Sequence, residues 1–207
     1  FMWQEVEHKT IVFPGFSAPA MVPEGEDLEN AIGMIASARR PVILAGGGAT
    51  HARDTLIRLA DRLEAPLATT LKAKGLFNGH PFNMDIFGTL STPAAYDLIA
   101  KADCIVCFGT SLHHFTTDKG GLMKGKRVVQ VNDTVTEVAK NYHPDVALVA
   151  DAGLTAANFV HWLDEAEIPP SGFTRELDMA TLRYHPRVHN RPRSEEHTSE
   201  LQSPCNL

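Results

Sequence analysis

The sequence predicts an α/β domain built on a parallel sheet of five or six strands. Short, continuously apolar runs alternate along the chain with stretches whose apolar residues recur at helical spacing, and the links between them are short. Continuous rather than alternating apolar strands indicate that helices cover both faces of the sheet. We therefore predict a Rossmann-like three-layer domain over residues 20–166.

The first half of this domain alternates between helix and strand. In "EDLENAIGMIASARR", Leu28, Ala31 and Ile35 share one stripe, and acidic residues occupy the first turn, which predicts a helix. "PVILAGG" predicts a buried strand, and Thr50 is the expected N-cap of a helix over "THARDTLIRLADRLE". "APLATTL" predicts the second strand.

The second half begins with "LFNGHPFNMDIFGTL", whose glycine, asparagine, histidine and proline residues predict a loop. Thr92 and Pro93 are the expected N-cap and first residue of the next helix. "DCIVCFGTSL", "KRVVQVND" and "DVALVAD" predict three further strands, and "LTAANFVHWLDEA" predicts the closing helix. Cys104 and Cys107 fall in one strand, so their side chains should face opposite ways and pack in the core.

Charge and composition exclude several classes of partner. The net charge of -6 and the pI of about 5.9 provide no basic field for nucleic acid or an anionic membrane. No apolar run approaches the roughly 20 residues that span a bilayer. The three cysteines form no disulfide framework, which favours a reducing compartment. We therefore expect a cytoplasmic protein with neither a nucleic-acid nor a membrane partner.

Glycines and polar residues follow the predicted strands, where an open parallel sheet binds its ligands. They outline a crevice of dinucleotide size and comprise Gly46, Gly47, Gly48, Thr69, Thr70, Lys72, Lys74, Gly109, Thr110, Ser111, His113, His114, Asn132, Asp133 and Thr134. The first three would let the backbone approach a pyrophosphate closely. However, G-G-G is not G-x-G-x-x-G, so a tight turn without a ligand is the alternative.

The same residues do not predict catalysis. The sequence contains no nucleophile with a paired base, no G-x-S-x-G and no P-loop, so we assign no catalytic residue. His113 and His114 should point apart on an extended chain, and no third ligand is evident, so we predict no metal site. We expect this chain to bind a ligand without catalysing a reaction.

The ordered set "RRPVILAGGGAT", "APLATTLKAKGLFNGHP", "KADCIVCFGTSL" and "VVQVNDTVTEVAKNYHPDVALVAD" resembles the central domain of thiamine-diphosphate-dependent enzymes of the acetolactate synthase type, including related decarboxylases and carboligases. The resemblance covers residues 20–166. It implies a full-length enzyme that acts on a 2-oxo acid as a homodimer or homotetramer, with thiamine diphosphate and magnesium held by outer domains. It also implies that the central domain binds FAD, an ADP-like group or nothing.

Carried over by position, Gly46, Gly47 and Gly48 match the loop near the FAD pyrophosphate, Thr70 and Leu71 match backbone contacts near the flavin chain, and Gly109 matches the glycine that ends the third strand. Three positions depart from the family. The arginine expected shortly after Gly109 is absent from "GTSLHH", Asn132 and Thr134 replace an Asp-x-Asp, and Asp85 replaces a glycine. Without the arginine, a charge-assisted contact to the pyrophosphate is lost, so we expect FAD to bind weakly.

The resemblance also assigns the ends of the chain. Residues 1–19 would connect from a pyrimidine-binding domain, and 167–192 would lead to a diphosphate-binding domain. Back-translated, "RSEEHTSELQSPCNL" reads as a short-read sequencing adapter, so we interpret 193–207 as an adapter-derived tail. Two alternatives remain open: a stand-alone nucleotide-binding or interaction module, and an NAD-dependent deacylase or dehydrogenase.

Overall fold

A computed structural model describes residues 21–178 as a six-stranded sheet flanked by helices. The strands are β1 (Pro41–Ala45), β2 (Leu67–Thr69), β3 (Asn83–Ile86), β4 (Cys104–Phe108), β5 (Arg127–Asn132) and β6 (Val146–Val149). All neighbouring strands are parallel, in the order β3-β2-β1-β4-β5-β6. The predicted α/β fold is confirmed. The segments assigned to 1–19, 179–192 and 193–207 lie outside the described residues.

Helices cover both faces of this sheet. They are α1 (Glu26–Ala36), α2 (Arg53–Leu63), α3 (Pro93–Lys101), α4 (His114–Thr117) and α5 (Ala152–Glu165). The apolar faces of α1, α2 and α5 share one buried core, which includes Ile35, Leu59 and Phe159. The second core, on the other face, contains the apolar side of α3 together with Met123 and Phe173.

The two cysteines of β4 separate these cores. Cys104 packs in the core of α1, α2 and α5, whereas Cys107 packs in the core of α3, as the alternation of strand side chains predicts. Burial raises the pKa of Cys104 to about 12 and raises that of Cys107 as well. Both thiols are therefore protonated at neutral pH and act as small apolar side chains.

Two helix starts show how the sequence positions the helices. The Thr92 hydroxyl accepts a hydrogen bond from the Ala95 N–H at 3.2 Å, which confirms the predicted N-cap of α3. Asp151 caps α5 in the same way, accepting from the Leu154 N–H at 2.8 Å. The Thr50 prediction is wrong: a 3₁₀ helix spans Gly47–Ala52, and α2 begins only at Arg53.

Strand β3 lies inside the segment predicted to be a loop. It has only four residues and forms one edge of the sheet, and Met84 is its one fully buried side chain. Its pairing with β2 is irregular, and Asp85 takes a left-handed φ of 61°. Strand β3 therefore lacks the continuous apolar run by which the other five strands are recognised.

The packed region continues beyond residue 166. The Ser171 hydroxyl donates to the Leu63 carbonyl at 2.7 Å, and the Thr174 N–H donates to the Glu64 carbonyl at 3.1 Å. Phe173 is buried in the core of α3. Residues 171–174 therefore tie the end of α2 to the opposite face of the sheet.

Candidate functional site

A cavity of about 630 Å³ opens at the carboxyl edge of the sheet, between the loops that follow β1, β2, β4 and β5. It lies where the strand order reverses between β1 and β4, the position at which open parallel sheets bind ligands. All ten residues assigned to cofactor binding from the sequence line it: Gly46, Gly47, Gly48, Thr70, Leu71, Gly109, Thr110, Ser111, Asn132 and Asp133. The structure thus brings the predicted set together.

Six further residues line the same cavity: Lys72, His113, Phe115, Thr116, Thr134 and Glu137. Phe115 and Thr116 belong to α4, which the sequence analysis did not identify. A single turn of four residues is too short to show helical periodicity. The only signal was position, because α4 closely follows the end of β4.

Three of the cavity glycines form a close contact between the loops after β1 and β4. A Cβ on Gly46 would lie 2.2 Å from the Gly109 carbonyl oxygen, and a Cβ on Gly109 would lie 2.3 Å from the Ala49 nitrogen. The Gly46 N–H donates to the Phe108 carbonyl at 2.7 Å, and the Gly48 N–H donates to the Gly109 carbonyl at 3.0 Å. We call this the glycine contact; it requires Gly46, Gly48 and Gly109 for packing and uses two of their amides.

Gly47 differs from its neighbours. A Cβ there would meet only the Lys72 Cβ, at an ordinary 3.6 Å. Gly47 is the first residue of the 3₁₀ helix, where an N–H has no intrahelical partner. A backbone donor and an exposed ammonium side chain therefore lie side by side in the cavity, a combination suited to an anion. Lys72 provides a cation even though no arginine follows Gly109.

The opposite wall is acidic. Asp133 and Glu137 both line it. The Thr134 hydroxyl donates to the Asp133 carboxylate at 2.9 Å, and the Asn132 side-chain oxygen accepts from the Thr134 N–H at 3.4 Å. Carboxylates placed after a strand in such folds accept hydrogen bonds from ribose hydroxyls. The cavity thus has a cationic wall and a hydroxyl-accepting wall.

Gln130 holds two of the lining segments in place. Its side chain is fully buried in β5. The side-chain nitrogen donates to the carbonyls of Thr110 at 2.9 Å and Glu137 at 3.2 Å, while the oxygen accepts from the Ala139 N–H at 2.9 Å. The sequence analysis missed this residue, although a single glutamine within the apolar run "RVVQVN" was a usable signal.

The adjacent histidines do not point apart as predicted. The rings of His113 and His114 lie 3.9 Å apart, because the chain turns into α4 at His114 instead of remaining extended. Within residues 21–178 there is no group of three or more His, Cys, Asp or Glu side chains that could hold a metal ion. Within the same range, no helix has the length and apolar character needed to cross a membrane.

A parallel sheet with helices on both faces and a polar cavity at its reversal point defines an α/β Rossmann-like domain. Comparison with known sequences identifies the family within this class. Residues 28–159 match the family described as "Thiamine pyrophosphate enzyme, central domain", and the chain belongs to that family.

Individual relatives agree with this assignment. The chain is 35% identical over 150 residues to the sulfoacetaldehyde acetyltransferase of Rhodobacter capsulatus, covering 69% of this chain and 25% of the relative. It is 30% identical over 160 residues to an acetolactate synthase of Mycobacterium bovis, covering 75% and 26%. It is also 30% identical over 150 residues to the "Probable acetolactate synthase large subunit" of Methanococcus aeolicus, covering 70% and 25%. The chain spans about a quarter of the length of these curated relatives.

Proposed function

We propose that this chain is the central part of a longer thiamine-diphosphate-dependent enzyme that makes or breaks a C–C bond next to the carbonyl of a 2-oxo acid. The observation that carries the proposal is the family match over residues 28–159. Relatives named acetolactate synthase support the carboligase chemistry, and decarboxylation of a 2-oxo acid belongs to the same reaction class. In this proposal the enzyme is cytoplasmic and assembles as a homodimer or homotetramer.

Thiamine diphosphate supplies a carbanion for such reactions, and magnesium anchors its diphosphate to protein oxygens. The described residues do not fit this pair, because residues 21–178 contain no suitable cluster of metal-binding side chains. Our proposal therefore assigns both groups to other segments of the enzyme. Accordingly, the 207-residue chain alone is inactive in this proposal.

We assign the cavity to the ADP portion of a nucleotide. In this assignment the Gly47 amide and the Lys72 ammonium bind the diphosphate, and Asn132 and Asp133 accept hydrogen bonds from ribose hydroxyls. The support is that all four residues line the cavity. The volume of about 630 Å³ lies within the range of about 300 to 1,000 Å³ typical of small-molecule sites. The diphosphate of ADP matches the cationic wall, and its ribose matches the hydroxyl-accepting wall. FAD contains the same ADP portion.

Two experiments test the proposal. Calorimetric titration of the 207-residue chain with ADP and with FAD should show saturable binding of ADP at one site. If neither ligand binds, the cavity assignment is wrong, whereas the enzyme assignment is unaffected. Extension of the gene at both ends, followed by assays with a panel of 2-oxo acids, should show turnover that requires thiamine diphosphate and magnesium.

The cavity also supports a second candidate, a stand-alone nucleotide-binding module, because residues of this chain alone form both walls. Saturable ADP binding by the chain, combined with no turnover of any 2-oxo acid by the extended protein, would favour this candidate.

A further inference from the structure

Three aromatic rings lie close together at the rim of the cavity, each tilted by 41° to its neighbour. The rings of His113 and His114 are 3.9 Å apart between centroids, and those of His114 and Phe115 are 4.2 Å apart. His113 and Phe115 both line the cavity, and Phe115 is 64% exposed. We call these three residues the ring stack. It places an open aromatic face beside the polar walls described above.

The backbone beneath the ring stack is tightly held. A Cβ on Gly88 would lie 2.4 Å from the Phe115 carbonyl oxygen, so only glycine permits this approach. The Thr89 N–H donates to the same carbonyl at 3.0 Å. The Thr117 side chain is buried, and its hydroxyl donates to the His113 carbonyl at 3.4 Å. The exposure of Phe115 is therefore not the result of a loosely attached segment.

Leu112, just before the ring stack, adds a second sign of constraint. Its side chain is fully buried, yet its backbone has a left-handed φ of 49°, which is unfavourable for a bulky residue. Such strain persists only where the surrounding structure imposes it, and it is concentrated at ligand-binding sites. The strained residue lies in the link between β4 and α4, immediately before the ring stack.

A fixed, exposed aromatic face next to charged and hydroxyl-accepting walls suits a ligand that is polar at one end and flat at the other. Aromatic side chains attract planar rings by offset stacking, and this contact accepts any base because every base has a π-face. Neither polar wall provides a flat aromatic surface. With the ring stack, the cavity has a separate contact for the phosphate, the ribose and the planar ring of a nucleotide.

We propose that Phe115, supported by His113 and His114, is the platform on which the aromatic ring of the bound nucleotide stacks. The ring is adenine if ADP is the ligand, and flavin if the ligand is a flavin nucleotide. This inference rests on the proposed nucleotide site, and it adds a residue that determines ligand specificity.

The test is titration of the 207-residue chain and its Phe115 variants with ADP, which carries only adenine, and with FMN, which carries only flavin. Phe115→Ala should weaken binding of the stacked ring about tenfold. Phe115→Leu, which keeps apolar volume but has no flat face, should lose most of that affinity. Phe115→Trp should retain it. A purely structural role would not separate Leu from Trp in this way.

Leu90→Ala is the matched control, because Leu90 is 60% exposed and does not line the cavity. Its ADP and FMN affinities should equal those of the unchanged chain. If the unchanged chain binds a nucleotide and Phe115→Ala or Phe115→Leu binds it equally well, the platform is wrong and the nucleotide site stands. If the unchanged chain binds neither ADP, FMN nor FAD, the nucleotide site and the platform fail together.

Discussion

At the amino edge of the sheet, the charged side chains of Asp103 and Lys126 bind the backbone, whereas Lys72 and Asp133 at the carboxyl edge line the cavity. The Asp103 carboxylate accepts hydrogen bonds from the N–H groups of Arg39 and Arg40, both at 2.9 Å, and pairs with Arg127 at 3.6 Å. The Lys126 ammonium donates to the carbonyls of Ala100 at 2.7 Å and Ala102 at 2.9 Å, at the end of α3.

At the carboxyl edge, the Lys72 side chain is exposed beside Gly47, and Asp133 shares only a hydroxyl contact with Thr134. Phe115 remains uncovered at the rim. The contrast shows how one sheet divides two tasks. Asp103 and Lys126 at the amino edge stabilise the fold, whereas Lys72 and Asp133 at the carboxyl edge remain available to a ligand; Glu137, in the same cavity, already pairs with Lys140.

The glycine contact lies at the carboxyl edge but stabilises the fold. Its disruption should have the largest effect on stability. Gly109→Ala places a Cβ 2.3 Å from a backbone nitrogen at a residue with φ of 59°. We expect a loss of about 3 kcal/mol in the free energy of unfolding, from overpacking combined with left-handed strain. Urea denaturation measures this loss.

Gly33→Ala is the matched control for this substitution. Gly33 lies in α1, and an added Cβ would have nothing within 4 Å. Alanine should stabilise the chain there by about 1 kcal/mol, because glycine is a poor helix former. Equal effects of the two substitutions would show that the loops after β1 and β4 do not require glycine.

The amino edge provides the second prediction. Asp103→Ala removes the acceptor for two backbone N–H groups, so the free energy of unfolding should fall by about 2 kcal/mol. Affinity for ADP should not change, since Asp103 lies at the other end of β4 from the cavity. Asp97→Ala, which removes an exposed carboxylate from α3, should leave stability unchanged. Weaker ADP binding by Asp103→Ala would contradict the division between the two edges.

At Lys72 we expect the opposite result: ADP affinity should fall, and stability should not change. Lys72→Ala should weaken ADP binding about tenfold, through loss of a charge-assisted contact, without altering the unfolding midpoint. Lys74→Ala is the control, because Lys74 is equally exposed and does not line the cavity. Titration in low and high salt should show the difference shrinking as salt screens the ammonium group. Identical affinities of the two variants would remove Lys72 from the site.

The smallest effect is predicted at Asp85, where β3 bends with φ of 61°. Asp85→Gly should raise the free energy of unfolding by about 0.5 kcal/mol, since relief of left-handed strain exceeds the entropy that glycine loses. Asp85→Ala should lower it, because alanine tolerates a left-handed φ less well than aspartate does. Thermal unfolding of the three proteins measures the order, and a stabilising alanine would contradict the strain at this position.

Local patterns predicted five of the six strands, including the edge strand β6, but not the other edge strand, β3. Five strands were recognisable because each lies in a run rich in apolar residues, even though β6 is buried on one face only. Strand β3 was not, because an edge strand with one fully buried side chain lacks that pattern. The N-cap of α2 was misplaced because the glycine contact, between loops far apart in sequence, draws Gly47–Ala52 into a 3₁₀ helix.

The cavity was predictable for a topological reason, since the carboxyl ends of parallel strands meet at one edge whatever the side chains are. Its finer features were not. Three of these features depend on contacts between distant segments: the proximity of Gly47 to Lys72, the hydrogen bonds of Gln130 to two loops, and the exposure of Phe115. Such contacts leave no periodic trace in the sequence.

The opposite orientation of Cys104 and Cys107 makes β4 a reporter of how the domain opens. Each thiol is buried in a different core, so a thiol-specific label can reach Cys104 only when the core of α1, α2 and α5 opens, and Cys107 only when the core that contains α3 opens. With Cys205 replaced by serine, two unequal labelling rates would reveal a layer that detaches first, and equal rates would reveal a single cooperative opening. The two cysteines of β4 would thus report separately on the opening of the two cores.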